Sequence, residues 1–562
     1  MDDLSSLDNA LEKIPAREFL LGPQSNFSAA VNQWFSLLGP SRVEVDPSAI
    51  EHHGRNAIGS KKRGSAVLRP ETEKQVQEIV RIAASLRIPL YPISTGRNWG
   101  YGAASPVVDG SVIVELADLK NIRIVDEELG IVSLQPGVTQ GMLYQFLKEH
   151  QSNLMVPVHG GGPSCSIVGN ALERGYGLTP ATDHFSALKS LRAVLSNGSM
   201  YVSPFHAMGA ELIGSCHRWG IGSYVEGLFS QGNFGIVTEA TFTLVRRPEH
   251  TEAFFLRITD DQQLGEVVDH LRTVLTSLGG NVVGVNLMND RRVLSMSRPY
   301  PNELVGTNEI ISSKKCNEMA KGAGISAWTA AGIIHCPSLM KRVVRRTLKS
   351  LLPASVSRPI HLDRRRLSKA KAIAAWTPFG RDSILQQISS IDALLDVAEG
   401  IPRRVALPLA YWLRGELPST ETDLNPAQDG CGLIWYSPLV PMKSVDAQRF
   451  SKMVKRICTA HSVEPLITLT SLSAQLFDAT VPLLFQPEKP GAEQRATDCY
   501  KALLDAGGKT GFLPYRLGTT SVDFLEDKTE NSHFSFVANL KTATDPEGII
   551  SPGRYSPNQA SR

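Results

Sequence analysis

Apolar residues recur near a 3.6-residue period through Val76, Ile79, Val80, Ala83 and Leu86, and predict an amphipathic helix that Pro70 and Thr72 open. A short β-like run beginning at Leu90, LYPI, follows it and gives way to the glycine-rich stretch STGRNWGYG. Further on, SALKSLRAVLSNGSMY predicts a strand that turns at Asn197-Gly198. Short strands and helices alternate in this manner from residue 61 to about 248. The glycine motifs then stop, and the segments EAFFLRITD, NVVGVNLMN, AWTAAGIIHC and GLIWYSPLV predict strands between helical stretches. Near residue 511 the pattern changes once more. Residues 1–60 read as a helical lead-in, and the chain holds no internal repeat or low-complexity tract.

With 562 residues the chain is too long for one core and implies at least two domains. A hydrophobic fraction of 42% and a charged fraction of 20% are those of an ordinary globular protein. The net charge of +3 is small for this length and points to neither nucleic acid nor a membrane surface. Basic residues concentrate only in KRVVRR (341–346) and DRRRLSKAK (363–371), which read as solvated helix faces; docking of an acidic electron-transfer partner is the sharper alternative. The seven cysteines (165, 216, 316, 336, 431, 458 and 499) form no CxxC pair and read as free thiols, which favours a reducing compartment. MDDLSSLDNALEKIPAREFL has no basic n-region or apolar h-region, and no run of about 18 apolar residues occurs. Cytoplasmic residence is the expectation.

The stretch from Leu90 to Gly102 carries the first chemistry. Ser94, Thr95, Arg97 and Asn98 supply hydroxyl, guanidinium and amide donors, and Gly96, Gly100 and Gly102 free backbone N–H groups to turn toward a phosphate. A pyrophosphate, and hence a dinucleotide cofactor, suits that set; an ordinary glycine-rich turn is the plain alternative. No GxGxxG follows a strand and opens a helix here, which disfavours a nicotinamide domain.

A second stretch, HGGGPSCSIVGNALERGYGLTPATDHF (159–185), implies close backbone approach to something flat. With Leu68-Arg69-Pro70-Glu71, Gln135-Pro136-Gly137-Val138, Gly227-Leu228-Phe229-Ser230-Gln231, Gly235-Ile236-Val237-Thr238 and the terminal DPEGIISPGR (545–554), it resembles the vanillyl-alcohol oxidase and 4-cresol methylhydroxylase family of FAD-linked oxidoreductases, closest to the cresol methylhydroxylase flavoprotein branch. The resemblance runs along most of the chain. It implies an α+β, two-domain flavoprotein in which a discontinuous PCMH-type FAD-binding domain (61–248 as its main part, 511–562 as its C-terminal return) is interrupted by an inserted α+β substrate-binding cap (249–510). FAD is assigned by this resemblance. The cofactor-binding residues it implies, besides Ser94 to Asn98, Gly100 and Tyr101, are Pro136, Gly137, Gly162, Ser166, Gly169, Asn170, Glu173, Gly177, Asp183, His184, Gly235, Ile236, Val237, Tyr411 and Arg554.

In the phenol-oxidising branch two tyrosines and an arginine surround the substrate's phenolic oxygen. Tyr101 matches the first tyrosine, and Tyr515-Arg516, in GFLPYRLG, match the second tyrosine and the arginine. A guanidinium with two phenolic donors stabilises a phenolate. The implied reaction is oxidation of a 4-alkylphenol or a 4-hydroxybenzylic or allylic alcohol by hydride transfer to flavin N5, through a p-quinone methide. Arg554 matches an arginine near the flavin pyrimidine, where positive charge favours the reduced anion.

The chain also departs from the family pattern. DGCGLIWYSP has no histidine where one branch links its flavin, so a histidyl bond is not expected; Tyr411, in YWLRG, is the candidate for a tyrosyl link, and an unlinked packed tyrosine is the alternative. No Asp or Glu lies in His159–Ser166, where one branch keeps a carboxylate beside N5. In ITLTSLSAQLFDATVPL (467–483) Asp478 is the only acid, so the active-site base is not assigned. Two other readings keep the fold: a 2-hydroxy acid dehydrogenase with a His-rich metal site, disfavoured because the cap histidines do not cluster convincingly and the Tyr101, Tyr515 and Arg516 set favours phenol, and a catalytically impaired flavoprotein partner subunit. No metal is expected. Oxygen, or a separate cytochrome c or azurin-like protein, is the expected electron acceptor, and a homodimer the expected assembly.

Overall fold

The computed structural model describes residues 24–177, 182–306, 309–374, 381–415, 423–526 and 532–556. Residues 1–23 of the expected helical lead-in lie outside them. The predicted helix runs Glu73–Leu86 and starts in a capping box: the Thr72 side chain accepts from the Gln75 N–H while the Gln75 side chain accepts from the Thr72 N–H. It ends where Arg87 turns left-handed at φ 56°. Val76, Ile79, Val80 and Ala83 are buried, as their spacing predicts, against the Gln24–Leu38 helix, with Trp34 fully enclosed, and against Leu90, Val112 and Val114 of the first sheet.

That four-stranded sheet has the order 43–44, 67–68, 112–115, 90–93, and its last three strands are parallel. Leu90–Ile93 therefore ends at the sheet's carboxyl edge, where the loop from Ser94 emerges. The C-terminal tail closes on the same strand: Leu90 donates to the Ile549 carbonyl at 2.7 Å and Ser551 donates back to Leu90 at 2.8 Å. An antiparallel five-stranded sheet follows, in the order 122–126, 131–134, 236–243, 188–194, 200–202. Gly198, at φ 77°, makes the predicted turn between its last two strands.

The strands expected after residue 249 form one antiparallel sheet in the order 360–362, 250–258, 328–336, 282–289, 468–471, 476–485, 432–436, with 439–441 paired beside 476–485. GLIWYSPLV divides into two strands, because Ser437 and Pro438 break the ladder. One face of this sheet presents Phe254, Leu256, Leu287, Leu469, Phe477 and Ala479 to the Leu264–Ser277, Ser444–Ala460 and Ala492–Thr510 helices. Period-2 alternation sends their neighbours, among them Ala331, Asn286, Thr470 and Asp478, to the opposite face. The bridge between Pro438 and Pro514 then brings Tyr515 and Arg516 to that face's rim. Fold and connectivity are those of the expected two-domain α+β flavoprotein with an inserted cap.

The basic clusters are less solvated than their composition implies. Lys341 and Arg345 turn inward to Asp363 and to the buried Glu252, and Arg364 pairs with Asp392, Asp396 and Glu399.

Candidate active site

A deep cleft opens at the carboxyl end of Leu90–Ile93. Ser94, Thr95, Gly96, Arg97 and Asn98 line it from the loop; Ser166, Gly169, Asn170 and Glu173 line it from the 159–177 stretch; Pro136, Gly235, Ile236, Val237 and Arg554 complete it. Ser166 caps the Ile167–Leu172 helix by accepting from the Gly169 N–H, and its hydroxyl donates to the Pro136 carbonyl at 2.6 Å. Gly96 turns left-handed at φ 65°, which exposes the loop backbone toward the cleft. A side chain at Gly169 would meet Ser94 Oγ at 2.4 Å, so helix and loop approach as only glycine allows.

The other residues expected at the cofactor are set back from the cleft wall. Gly100 packs on Trp435, Gly137 on the Ala117 carbonyl and Gly162 on Arg404. Asp183 caps the His184–Ala187 helix, and His184 Nδ1 pairs with Asn170 Nδ2 at 2.7 Å. Gly177 lies in a small neighbouring cavity. Tyr411 is buried in the cap and donates its hydroxyl to Asp429. Burial and that carboxylate hold the Tyr411 hydroxyl well above its ordinary pKa.

Tyr101, Tyr515 and Arg516, far apart in sequence, come together. The Arg516 guanidinium lies 4.2 Å from the centre of the Tyr101 ring and donates to Asn98 Oδ1 at 2.7 Å. Tyr101 Oη shares a 2.8 Å hydrogen bond with Ser437, while the Tyr515 ring sits edge-on to Tyr176 at 5.4 Å. Burial raises the pKa of both Tyr101 and Tyr515, so both are neutral hydroxyl donors. Arg516 and Arg554 share one carboxylate: Glu173 takes two bonds from Arg554 at 3.0 and 3.1 Å and lies 3.3 Å from Arg516 Nε. Burial pushes Glu173 up, and the two arginines outweigh it and hold the carboxyl below its usual range. Two guanidiniums against one carboxylate leave the pocket with surplus positive charge.

Asp478 is the acid that sequence reasoning did not place. It is buried beside Tyr515, and burial raises its pKa to about 7 against the opposing pull of Arg516 and the Tyr515 hydroxyl. Ser437 and Tyr176 were also missed; each is ordinary in sequence and acquires meaning from a neighbour hundreds of residues away. His159 lines the cleft, and its pKa is lowered by burial and by Arg516 to about 4, so its imidazole is neutral. Buried donors without partners face this region, among them Arg97 Nη1 and His159 Nε2.

The cap histidines do meet in space. His250, Glu252 and Asp363 present ligand atoms within 4.8 Å of one another, with His361 Nδ1 2.7 Å from Glu252. Arg345 already binds Glu252 and Lys341 binds Asp363 at 2.6 Å, so the carboxylates are neutralised by protein cations.

Residues 64–203 match the model of an FAD-binding domain. Over 529 residues the chain is 33% identical to 1'-carboxy-chondrochloren decarboxylase of Chondromyces crocatus, covering 92% of this chain and 95% of that protein. It is 25% identical over 537 residues to the 4-cresol dehydrogenase (hydroxylating) flavoprotein subunit of Pseudomonas putida, covering 94% and 96%. The crystal structure of p-cresol methylhydroxylase with substrate bound superposes with a TM-score of 0.83 at 23% identity, covering 95% and 97%. Fold and cleft thus define an FAD-dependent oxidoreductase. The chain belongs to the PCMH and vanillyl-alcohol oxidase family of such enzymes. Among the described residues no helix is long and apolar enough to cross a membrane.

Proposed function

We propose that this enzyme oxidises para-substituted phenols at the carbon attached to the ring. The observation that carries this reading is the buried Arg516 guanidinium against Tyr101, with the Tyr515 hydroxyl and Asp478 in the same pocket. The cleft suits FAD: the loop from Ser94 to Asn98 and Gly169 would hold the pyrophosphate, the partnerless Arg97 Nη1 provides a buried donor there, and Arg554 would face the flavin pyrimidine. Bound FAD supplies the two-electron acceptor.

Arg516, Tyr101 and Tyr515 hold the phenolic oxygen, and the guanidinium favours its ionised form. Asp478, balanced near neutrality, takes the phenolic proton through Tyr515. Loss of a hydride, one proton with two electrons, from the α-carbon of the phenolate leaves a p-quinone methide, the two electrons being those that bound FAD would accept. Water adds to it at that carbon, or an α-hydroxyl loses its proton and gives the carbonyl. Although Tyr411 is set back from the cleft wall, it is the proposed point of any covalent flavin link, and its hydrogen bond to Asp429, a carboxylate able to take its proton, supports that role.

A second reading rests on the 33% identical decarboxylase. A carboxylate on the carbon next to the α-carbon can leave as CO2 from the same quinone methide, its bonding electrons restoring the phenolate and forming a side-chain double bond.

Anaerobic titration of the holoenzyme with 4-ethylphenol, vanillyl alcohol and lactate tests the reading. Bleaching of the flavin by the phenols alone is expected, and bleaching by lactate alone would replace it with the hydroxy-acid reading. Readmission of air then assigns the acceptor: rapid recolouring means oxygen, slow recolouring a separate redox protein. Evolution of CO2 from 3-(4-hydroxyphenyl)propanoate would establish the decarboxylating variant.

A further inference from the structure

The cap sheet carries one polar rung on the face opposite the Leu264–Ser277, Ser444–Ala460 and Ala492–Thr510 helices. Ala331, Asn286, Thr470 and Asp478 pair in succession across four neighbouring strands. Side chains directly opposite on one face stand side by side. Asp478 lies at the Tyr515 end of the rung, and Thr470 and Asn286 lead away from it. Adjacent strands are about 4.8 Å apart, so Asn286 stands roughly 10 Å from Asp478.

At that far end is a small cavity that the phenol-binding residues do not explain. Asn286, Thr470 and Ser471 line it with Gly177, Ile333 and Leu394. It lies beside the proposed reaction site: Gly177 in its wall follows Tyr176, whose ring sits edge-on to Tyr515 at 5.4 Å. A side chain at Gly177 would meet the Val158 carbonyl at 2.3 Å and His184 Nε2 at 2.4 Å, so the backbone packs close there.

Asn286 Oδ1 is buried and has no hydrogen-bond partner. A buried amide oxygen left without a donor is costly, on the order of 1–3 kcal/mol. Ser471 is already engaged by the Val285 N–H at 2.9 Å. The cavity's lining residues include no charged side chain, and Val285, Ala331, Ile333 and Leu394 make much of it apolar.

We infer that Asn286, with Thr470 beside it, forms a specificity subsite for an uncharged hydrogen-bond donor, a hydroxyl or an amide N–H, at the end of the substrate's para substituent. The inference rests on the phenol reading above. The span of roughly 10 Å fits a phenol ring bearing a chain of a few atoms. The donor satisfies Asn286 Oδ1, while the Asn286 amide N–H2 and the Thr470 hydroxyl bond an acceptor on the same group. A carboxylate meets no cation here and pays desolvation without a partner charge.

The test compares 4-propylphenol, 4-(3-hydroxypropyl)phenol and 3-(4-hydroxyphenyl)propanoate by the concentration dependence of anaerobic flavin bleaching in the holoenzyme. The hydroxypropyl compound should bind about 10-fold tighter than the propyl compound, and the carboxylate more weakly than either. N286L should erase the hydroxypropyl preference, and T470V should reduce it. Asn286 makes no side-chain bond that N286L would break, and circular dichroism with flavin content verifies folding. Equal affinities in the wild type, a preference for the carboxylate, or an undiminished preference in N286L with folding intact overturns the subsite. No bleaching by any of the three phenols overturns the phenol reading itself and the subsite with it.

Discussion

Arg516 answers three demands with one group: its guanidinium lies over Tyr101, bonds Asn98 and opposes Glu173. Burial alone would lower its pKa, but Glu173 keeps it raised, so the charge is permanent. Tyr515→Phe combined with Arg516→Ala should retain FAD and lose phenol-dependent flavin reduction by about 10²- to 10³-fold, as for other preorganised anion donors; stopped-flow reduction at the wild-type rate would refute the phenolate role. Asp478 sets a pH signature. Its pKa of about 7 means the base form grows as pH rises through neutrality, so flavin reduction should rise with pH there, and Asp478→Asn should flatten the profile. Stability runs the other way: the folded state holds this proton above the unfolded carboxyl's pKa near 3.9, so this contribution weakens as pH climbs from about 4 to 7. Urea melts should show a smaller loss over that window in Asp478→Asn. Tyr101, Tyr515 and Arg516 were legible because each sits in a glycine- or proline-marked motif. Ser437 and Asn286 were not, since nothing local distinguishes them.

Among the elements, the Glu73–Leu86 helix is the most self-specified. Apolar spacing, the capping box and the left-handed Arg87 all point to the same span. Thr72→Ala removes the side-chain acceptor for the Gln75 N–H and should cost about 1 kcal/mol in a urea melt, without changing the flavin spectrum. Four segments of the cap sheet, EAFFLRITD, NVVGVNLMN, AWTAAGIIHC and GLIWYSPLV, were also readable as strands, whereas 360–362, 468–471 and 476–485 were not. Nor was the meaning of the polar residues within the sheet. In ITLTSLSAQLFDATVPL, alternation shows that Thr468, Thr470 and Asp478 face away from Leu469 and Phe477, but only pairing aligns Thr470 with both Asn286 and Asp478. A one-residue slip would turn all of them into the hydrophobic core.

At the scale of the molecule, the cofactor cleft belongs mainly to residues before 248, whereas Tyr411, Asp478 and Asn286 come from the cap and Tyr515, Arg516 and Arg554 from the C-terminal return. Glu173 ties the first of these pieces to the last through two arginines. The cap supplies the proposed tyrosyl link as well. If that link exists, acid-precipitated wild-type protein should keep its yellow colour and Tyr411→Phe should release the flavin into the supernatant; a colourless wild-type pellet would mean that FAD is held by contacts alone.

What the sequence by itself determined is whatever short-range chemistry encodes: the capped helix, the loop that turns at Gly96, part of the strand content of the cap, and the motifs that marked an FAD enzyme. Tertiary structure alone decided which residues share a pocket. Gly100 and Gly137 stand where ring or backbone atoms occupy the space a side chain would need. The cap histidines, dispersed in sequence, converged on Glu252, where arginine and lysine already balance the charge. Asp478 became a group balanced near neutrality only once burial against Tyr515 had removed its water. Burial, pairing register and charge proximity are properties of distance in space, and the antiparallel cap sheet creates those distances between residues that the chain itself keeps far apart.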